Sequence, residues 1–319
     1  MPDLLFIVES TLQALTAGLA LGSIYGLMCV GLAVIFGIMR VINFAQGEFL
    51  MLGMYFALYA VVGTALKDWA GSALGSYIAV IGSAPLFYVV GTLIHRTLMS
   101  RVSGIKVLAT DDEGQSAQLI LTLGLSLVLQ NGALIVFGSA PRGLGSSLAS
   151  AAWEVGLPGD GGSIFINQAR AVAGALAVLI TVALAIFMSR TRLGKGLRAA
   201  ADHPVAATYM GIDVARCHRI AFGLGTALTA VAGALVATYY PLQPYVGLEF
   251  VVIMYAGVVL GGMDSIKGAF WGGLIIGVVQ QMSALILPTQ LQTTAIFVIF
   301  LLVVFFMPQG LFGRVSDRA

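Results

Sequence analysis

Long apolar runs broken by short polar stretches set the pattern of this chain. A helix needs roughly 20 apolar residues to cross a bilayer. The run Leu12 to Ile38 exceeds that length and is punctuated by Gly18, Gly22, Gly26 and Gly31. It predicts either one tilted helix or a broken pair. A polar break, Arg40-Val41-Ile42-Asn43-Phe44-Ala45-Gln46-Gly47-Glu48, then precedes a second run from Phe49 to Leu66. Lys67 to Gly75 reads as a short loop. Further runs cover Ser76 to Leu98, Leu119 to Phe137, Ala171 to Ser189, Ile220 to Tyr240, Phe250 to Leu260, Ala269 to Leu287 and Gln292 to Phe306. The pattern predicts about nine crossings, or eight to ten if broken segments are divided differently.

The polar connections differ in kind. Ser100 to Gln118 holds the acidic run Asp111-Asp112-Glu113, and Ser139 to Asn167 is a long connection rich in Gly, Ser and Pro with room for a short interfacial segment. The turn Pro241-Leu242-Gln243-Pro244 is short. None of these is long enough to form a core of its own, so residues 1–319 are expected to make one transmembrane domain.

Composition agrees. Residues are 59% apolar and 9% charged, with a mean hydropathy of +0.98, whereas soluble domains carry about 25% charged residues. The expected fold class is an all-α, polytopic integral membrane helical bundle. Asp3 and Glu9 precede the first apolar run and no basic region does, so a cleavable signal peptide is not expected. The net charge of +2 gives no reason to invoke nucleic acid, because the positive charges belong to topology. Lys and Arg in short loops mark the cytoplasmic side. With Arg190 to Asp213 placed inside, thirteen of the 16 basic residues fall inside and only Lys67, Arg142 and Arg170 fall outside. This puts the C-terminus in the cytoplasm and, if Leu12 to Ile38 crosses once, the N-terminus outside.

Candidate chemistry is mostly removed by inspection. A phosphate-binding loop needs G-x-x-x-x-G-K-[ST], and Gly194-Lys195-Gly196 lacks both the upstream glycine and the following hydroxyl. The chain is therefore expected to be no enzyme and to hold no nucleotide by that route. Proton- or sodium-coupled carriers keep ionisable groups within their spans. The middle of each expected span lacks them, with Glu48 and Glu249 near span ends. His95, His203 and His218 lack metal-ligand spacing, and Cys29 and Cys217 form no cysteine-based metal site or disulfide framework. Uncharged polarity remains inside the membrane: Asn43, Gln46, Gln130 and Asn131, together with Gln280-Gln281. Such amides either bond between helices or line a passage. Asn43 and Gln46 are the stronger passage candidates, since broken helices usually border a cavity.

Small residues at spacing four, Gly18, Gly22 and Gly26, then Gly257 with Gly261 and Gly268 with Gly272, predict close helix packing, either within the subunit or against a second one. The densest charge lies in residues 190–219. Within it, Asp202-His203-Pro204-Val205-Ala206-Ala207-Thr208-Tyr209-Met210-Gly211 predicts a two-turn helix. Asp202 is its expected N-cap, Pro204 suits its first turn, and Gly211 suits the position just past its end. Its apolar side, Val205, Ala206, Tyr209 and Met210, needs a protein surface.

Those residues carry a resemblance. Leu21 to Leu52 with its INFAQGE run, Leu119 to Phe137, Arg190 to Asp213 with AADxxxAAxxMGID, Gly257 to Gly273 and the terminal PQGLFG resemble the LivH-type permease subunits of branched-chain amino-acid ABC importers. The similarity covers essentially the whole chain. It implies a permease, type II-like in fold, in the bacterial inner membrane among its lipids. A homologous second permease would enclose the path with it, two cytoplasmic ATPases would bind ATP and Mg, and a periplasmic binding protein would deliver the solute. No cofactor belongs to this chain. The resemblance makes Asp202 to Ala207, Tyr209, Met210, Gly211 and Asp213 the ATPase-coupling residues, although the usual acidic first position of that motif is Val205 here. It places binding-protein contacts on 139–167 and Pro241 to Glu249. It leaves open branched-chain amino acids, urea, short amides and aromatic acids. A stand-alone channel is the competing class.

Overall fold

The computed structural model describes residues 2–63, 66–102, 111–145, 147–156, 163–263, 265–288, 291–307 and 309–313. The chain is overwhelmingly helical, as the apolar runs predict. The first run is one uninterrupted helix, α1 (Pro2–Met39), and not a broken pair. Gly18, Gly22, Gly26 and Gly31 each face another helix that approaches too closely for a side chain, and Gly37 has nothing within 4 Å of an added methyl. Arg40, at φ 57°, then takes the left-handed conformation and reverses the chain. α2 (Gln46–Val62) follows, and then α3 (Leu66–Ile94), which is kinked at Gly71 and continues through a π-helical turn, His95–Met99, into α4 (Ser100–Val102). The expected loop at 67–75 is thus largely helical. Of the acidic stretch, residues 103–110 lie outside the described residues, and α5 (Asp111–Phe137) begins directly after them.

The long connection holds a feature that its composition did not announce. β1 (Ala152–Gly156) and β2 (Ser163–Asn167) pair antiparallel, with Trp153 opposite Ile166. Asn167 then caps α6 (Gln168–Arg190), its side chain accepting from the Arg170 N–H at 3.0 Å. The remaining helices are α7 (Arg192–Asp202), α8 (Pro204–Tyr209), α9 (Val214–Val236), α10 (Val246–Gly261), α11 (Ile266–Ser283) and α12 (Gln292–Phe306). Among the described residues, five helices are long and apolar enough to cross a membrane: those of α1, α3, α5, α6 and α9. α2, α10 and α12 are shorter apolar helices.

Two helices form the centre. α1 and α9 are buried along most of their length, and α2, α3, α6, α10 and α11 pack around them, while α5, α6 and α12 expose much of their apolar surface. Small residues set the spacing of the core. A methyl added at Gly22 would lie 2.5 Å from the Leu274 carbonyl oxygen, and one at Gly18 would lie 2.9 Å from Val278 Cα, so α1 and α11 cross backbone to backbone. Gly53 on α2 and Gly233 on α9 make the same kind of crossing between those two helices. Dispersion contacts at that range supply much of the attraction that a lipid solvent does not.

Candidate functional site

Two regions concentrate chemistry, and they lie at different levels of the bundle. The first is an elbow between α6 and α9. Thr191 caps α7 by accepting from the Gly194 N–H at 3.0 Å, and Gly194, Leu197 and Ala200 turn inward at three-residue spacing. Lys195 and Arg198 stay outside. What the sequence presents as a charged loop is therefore an amphipathic helix along the bundle edge. Asp202 ends this helix and does not cap the next. The N-cap of α8 is His203, which makes no side-chain cap, because α7 continues through Asp202 before the chain turns. Pro204 occupies the first turn of α8, as its fixed φ suits. Gly211, at φ 80°, lies one residue past the C-cap, and its N–H donates to the Thr208 carbonyl at 3.0 Å. The Ile212 N–H closes the motif on the Ala207 carbonyl at 2.9 Å. Asp213 then caps α9, accepting from the Arg216 N–H at 2.9 Å.

These caps hold α8 with one side down and the other bare. Ala207 is buried, whereas Tyr209 is 86% exposed, Met210 83% and Val205 59%. Ala206 is exposed beside them. The bare apolar ridge borders a concavity lined by His203, Pro204, Val205, Ala206 and Tyr209.

The second region is the polar break. Asn43 and Gln46 are fully buried and bonded to each other, Asn43 Nδ2 donating to Gln46 Oε1 at 3.0 Å. Asn43 Oδ1 accepts from the Ala45 N–H at 3.1 Å, starting α2. Gln46 Nε2 donates to the Gly225 carbonyl at 3.1 Å and to Thr229 Oγ1. Gly225 and Thr229 lie halfway along α9. α2 therefore begins at the middle of the bundle and not at its end. α10 begins at the same level, where the backbones of Gly47 and Gly247 touch. Both amides serve this junction and neither faces an opening within the subunit.

The junction corrects the sequence reading of Glu48. A position near a span end becomes a fully buried one, because the helix it starts begins at mid-bundle. Glu48 Oε1 accepts from Ser126 Oγ at 3.3 Å, while Oε2 lies against Gly247 without a hydrogen-bond partner. The length of the polar break is the one sequence signal that pointed here. Gln130 and Asn131, on α5, are not part of the junction. Gln130 is buried with its Nε2 unpartnered, and Asn131 is exposed and donates to the Leu127 carbonyl at 2.8 Å. The packing glycines all meet neighbours within the chain: Gly18, Gly22 and Gly26 against α11, Gly257 against Cys29 and Gly273, Gly261 against Gly268, and Gly272 against Gly257.

The terminal motif also has a place. The N–H groups of Leu311 and Phe312 donate to the carbonyls of Leu260 and Gly261 at 2.9 and 3.1 Å, fastening the chain end to α10. Gly310 and Gly262, both at positive φ, lie against each other there. Among the described residues no group of three or more His, Cys, Asp or Glu side chains could hold a metal.

The profile of the family described as "Branched-chain amino acid transport system / permease component" matches residues 14–307. The chain belongs to this permease family. It is 33% identical over 304 residues to the high-affinity branched-chain amino acid transport system permease protein LivH of Salmonella typhimurium, covering 95% of this chain and 96% of that one. Against LivH of Escherichia coli K12 identity is 32%, and against BraD of Pseudomonas aeruginosa 30%, over the same shares of both chains. No solved structure matches. The permease assignment accounts for the polytopic helical architecture, and the matched span includes both the elbow and the junction.

Proposed function

We propose that this chain is the membrane-spanning permease subunit of an ATP-driven, binding-protein-dependent importer of branched-chain amino acids. A homologous permease completes the path with it, and the chain couples to a cytoplasmic ATPase through α8. The observation that carries this reading is the bare ridge of α8. A six-residue helix is marginal by itself, yet the backbone bonds of Gly211 and Ile212 close this one at its end, and Val205, Tyr209 and Met210 stand outward. A large exposed aromatic beside a sulfur side chain is the composition of an interface anchor. In this reading nucleotide and Mg belong to the partner ATPases.

Orientation follows from the charges. α7, α8 and the π-helical turn with Arg96 lie at one end of α9, and Arg142 and Arg170 lie at the far end beside Leu242 and Tyr239. The arginine-rich end is the cytoplasmic one in this reading, in a bacterial inner membrane, with the hairpin and the Pro241 turn offered to the binding protein. ATPase closure moves α8, and α7 passes the displacement to α6 and α1, on which it packs.

The test is Gly211→Pro. Proline is locked near φ −65° and cannot take φ 80°, and it removes the N–H that bonds Thr208. Branched-chain amino-acid uptake by proteoliposomes of the assembled importer should fall at least tenfold with membrane insertion unchanged. Full-rate, ATP-dependent uptake by this variant defeats the coupling assignment. Ala206→Asp is the milder companion, since Ala206 is exposed whereas a charge at buried Ala207 would also disturb packing.

A further inference from the structure

A cavity of about 490 Å³ has no part in either region above. It opens between the N-terminal half of α1, the C-terminal end of α11, strand β2 and the start of α6. α6 runs from this cavity to α7, so the cavity and the α8 ridge stand a helix length apart, roughly 30 Å. Its volume falls within the roughly 300–1,000 Å³ of small-molecule sites.

The lining is polar in a specific way. Glu9, Gln13 and Ala17 follow at spacing four on one face of α1 and all line the cavity. Glu9 Oε1 accepts from the Ser163 N–H at 3.3 Å, which fixes the carboxylate against the hairpin. Gln13 Nε2 donates to the Phe165 carbonyl at 3.4 Å, leaving its oxygen free to accept. From α6 comes Arg170, whose guanidinium lies 5.3 Å from the centre of the Tyr239 ring. The buried hydroxyl of Tyr239 has no partner. Gln281 adds a second amide, and Leu285 with Ala17 supplies apolar surface. No ion pair joins Glu9 to Arg170 among the described residues. One cavity thus offers a carboxylate and a guanidinium, both partly held by protein and neither neutralising the other.

A simple anion would meet Glu9 and a simple cation would meet Arg170, so a ligand carrying both charges close together, with an apolar remainder, fits this lining. We infer that the cavity is a holding site for a free zwitterionic amino acid with an apolar side chain. Its ammonium faces Glu9, its carboxylate faces Arg170, and its side chain lies on Ala17 and Leu285. The hairpin that the importer reading offers to the binding protein forms one wall. The inference rests on that reading for the source of the solute, and the site receives it ahead of the translocation path.

The test is equilibrium binding of radiolabelled L-leucine to the nucleotide-free importer in phosphatidylglycerol nanodiscs. Glu9→Gln and Arg170→Gln should each weaken a saturable component at least tenfold. Excess 4-methylpentanoate, which lacks the ammonium, and leucinamide, which lacks the carboxylate, should not displace it. Ala17→Phe, which fills the floor without touching a charge, should weaken it comparably and keeps the test usable if a charge variant fails to assemble. The inference is overturned if no saturable component exists or if these variants leave it unchanged. It is equally overturned if phosphatidylethanolamine abolishes it, for then a lipid headgroup is the occupant. Tyr209→Ala should leave this binding intact while reducing ATPase recruitment, so failure of the coupling assignment and failure of the site read differently.

Discussion

Replacing Gly53 by alanine tests whether backbone contact holds the core. The added methyl would lie 2.7 Å from the Ala230 Cα and closer still to its carbonyl oxygen. Carbon atoms rest about 3.5–4.0 Å apart, so α2 and α9 must separate by about 1 Å. A gap of that size forfeits about a quarter to a half of the dispersion attraction at each contact it opens, and Leu50, Met54 and Ala57 are all buried on α2. Overpacking costs about 1–3 kcal/mol, and collision with backbone, which cannot swing aside, belongs at the upper end. Against this, alanine gains about 1 kcal/mol over glycine in helix propensity. The net expectation is a loss of about 1–2 kcal/mol. Gly124→Ala is the opposing control: Gly124 is exposed in α5 with nothing within 4 Å of the added methyl. There only the propensity gain of up to about 1 kcal/mol remains. Both can be read in detergent by heating with a thiol-reactive fluorophore, because Cys29 and Cys217 are free and buried until the bundle opens. At about 2–4 °C per kcal/mol, Gly53→Ala should melt several degrees below the parent and Gly124→Ala slightly above it. If Gly53→Ala melts at or above the parent temperature, the close crossing of α2 and α9 is wrong.

Two further predictions address function and the buried junction. Tyr209→Ala should leave the melting temperature within about 1 °C, since the ring touches little of this chain. It should weaken binding of the partner ATPase at least tenfold, or about 1.4 kcal/mol, and unchanged affinity in a surface-capture assay would remove α8 from the interface. Glu48→Lys places an uncompensated charge between α2 and α10 and should cost about 3–5 kcal/mol, whereas Glu48→Gln keeps the shape and should cost about 1 kcal/mol or less; equal melting temperatures for the two variants would contradict the burial of Glu48.

The sequence alone determines the apolar segments, the charged elbow and the family resemblance, because hydropathy, loop charge and motif spacing are local properties. Pro204 and Gly211 announce the start and the end of α8 for the same reason: each restricts or permits one backbone conformation. Asp202 misleads because capping residues also end helices, and only the continuation of α7 decides between the two. Hydropathy also cannot say which helices are central, since lipid is as apolar as a protein interior. α6 is the most hydropathic of the five long helices yet only 33% buried, while α9 is the least and is 83% buried. Only the tertiary structure makes α1 and α9 the axis, through backbone contacts at small residues that several neighbours must supply at once. It alone starts α2 and α10 at mid-bundle, turning Glu48 from an apparent span end into a buried group. The same long-range packing brings Glu9 and Arg170, 161 positions apart in the chain, to one cavity.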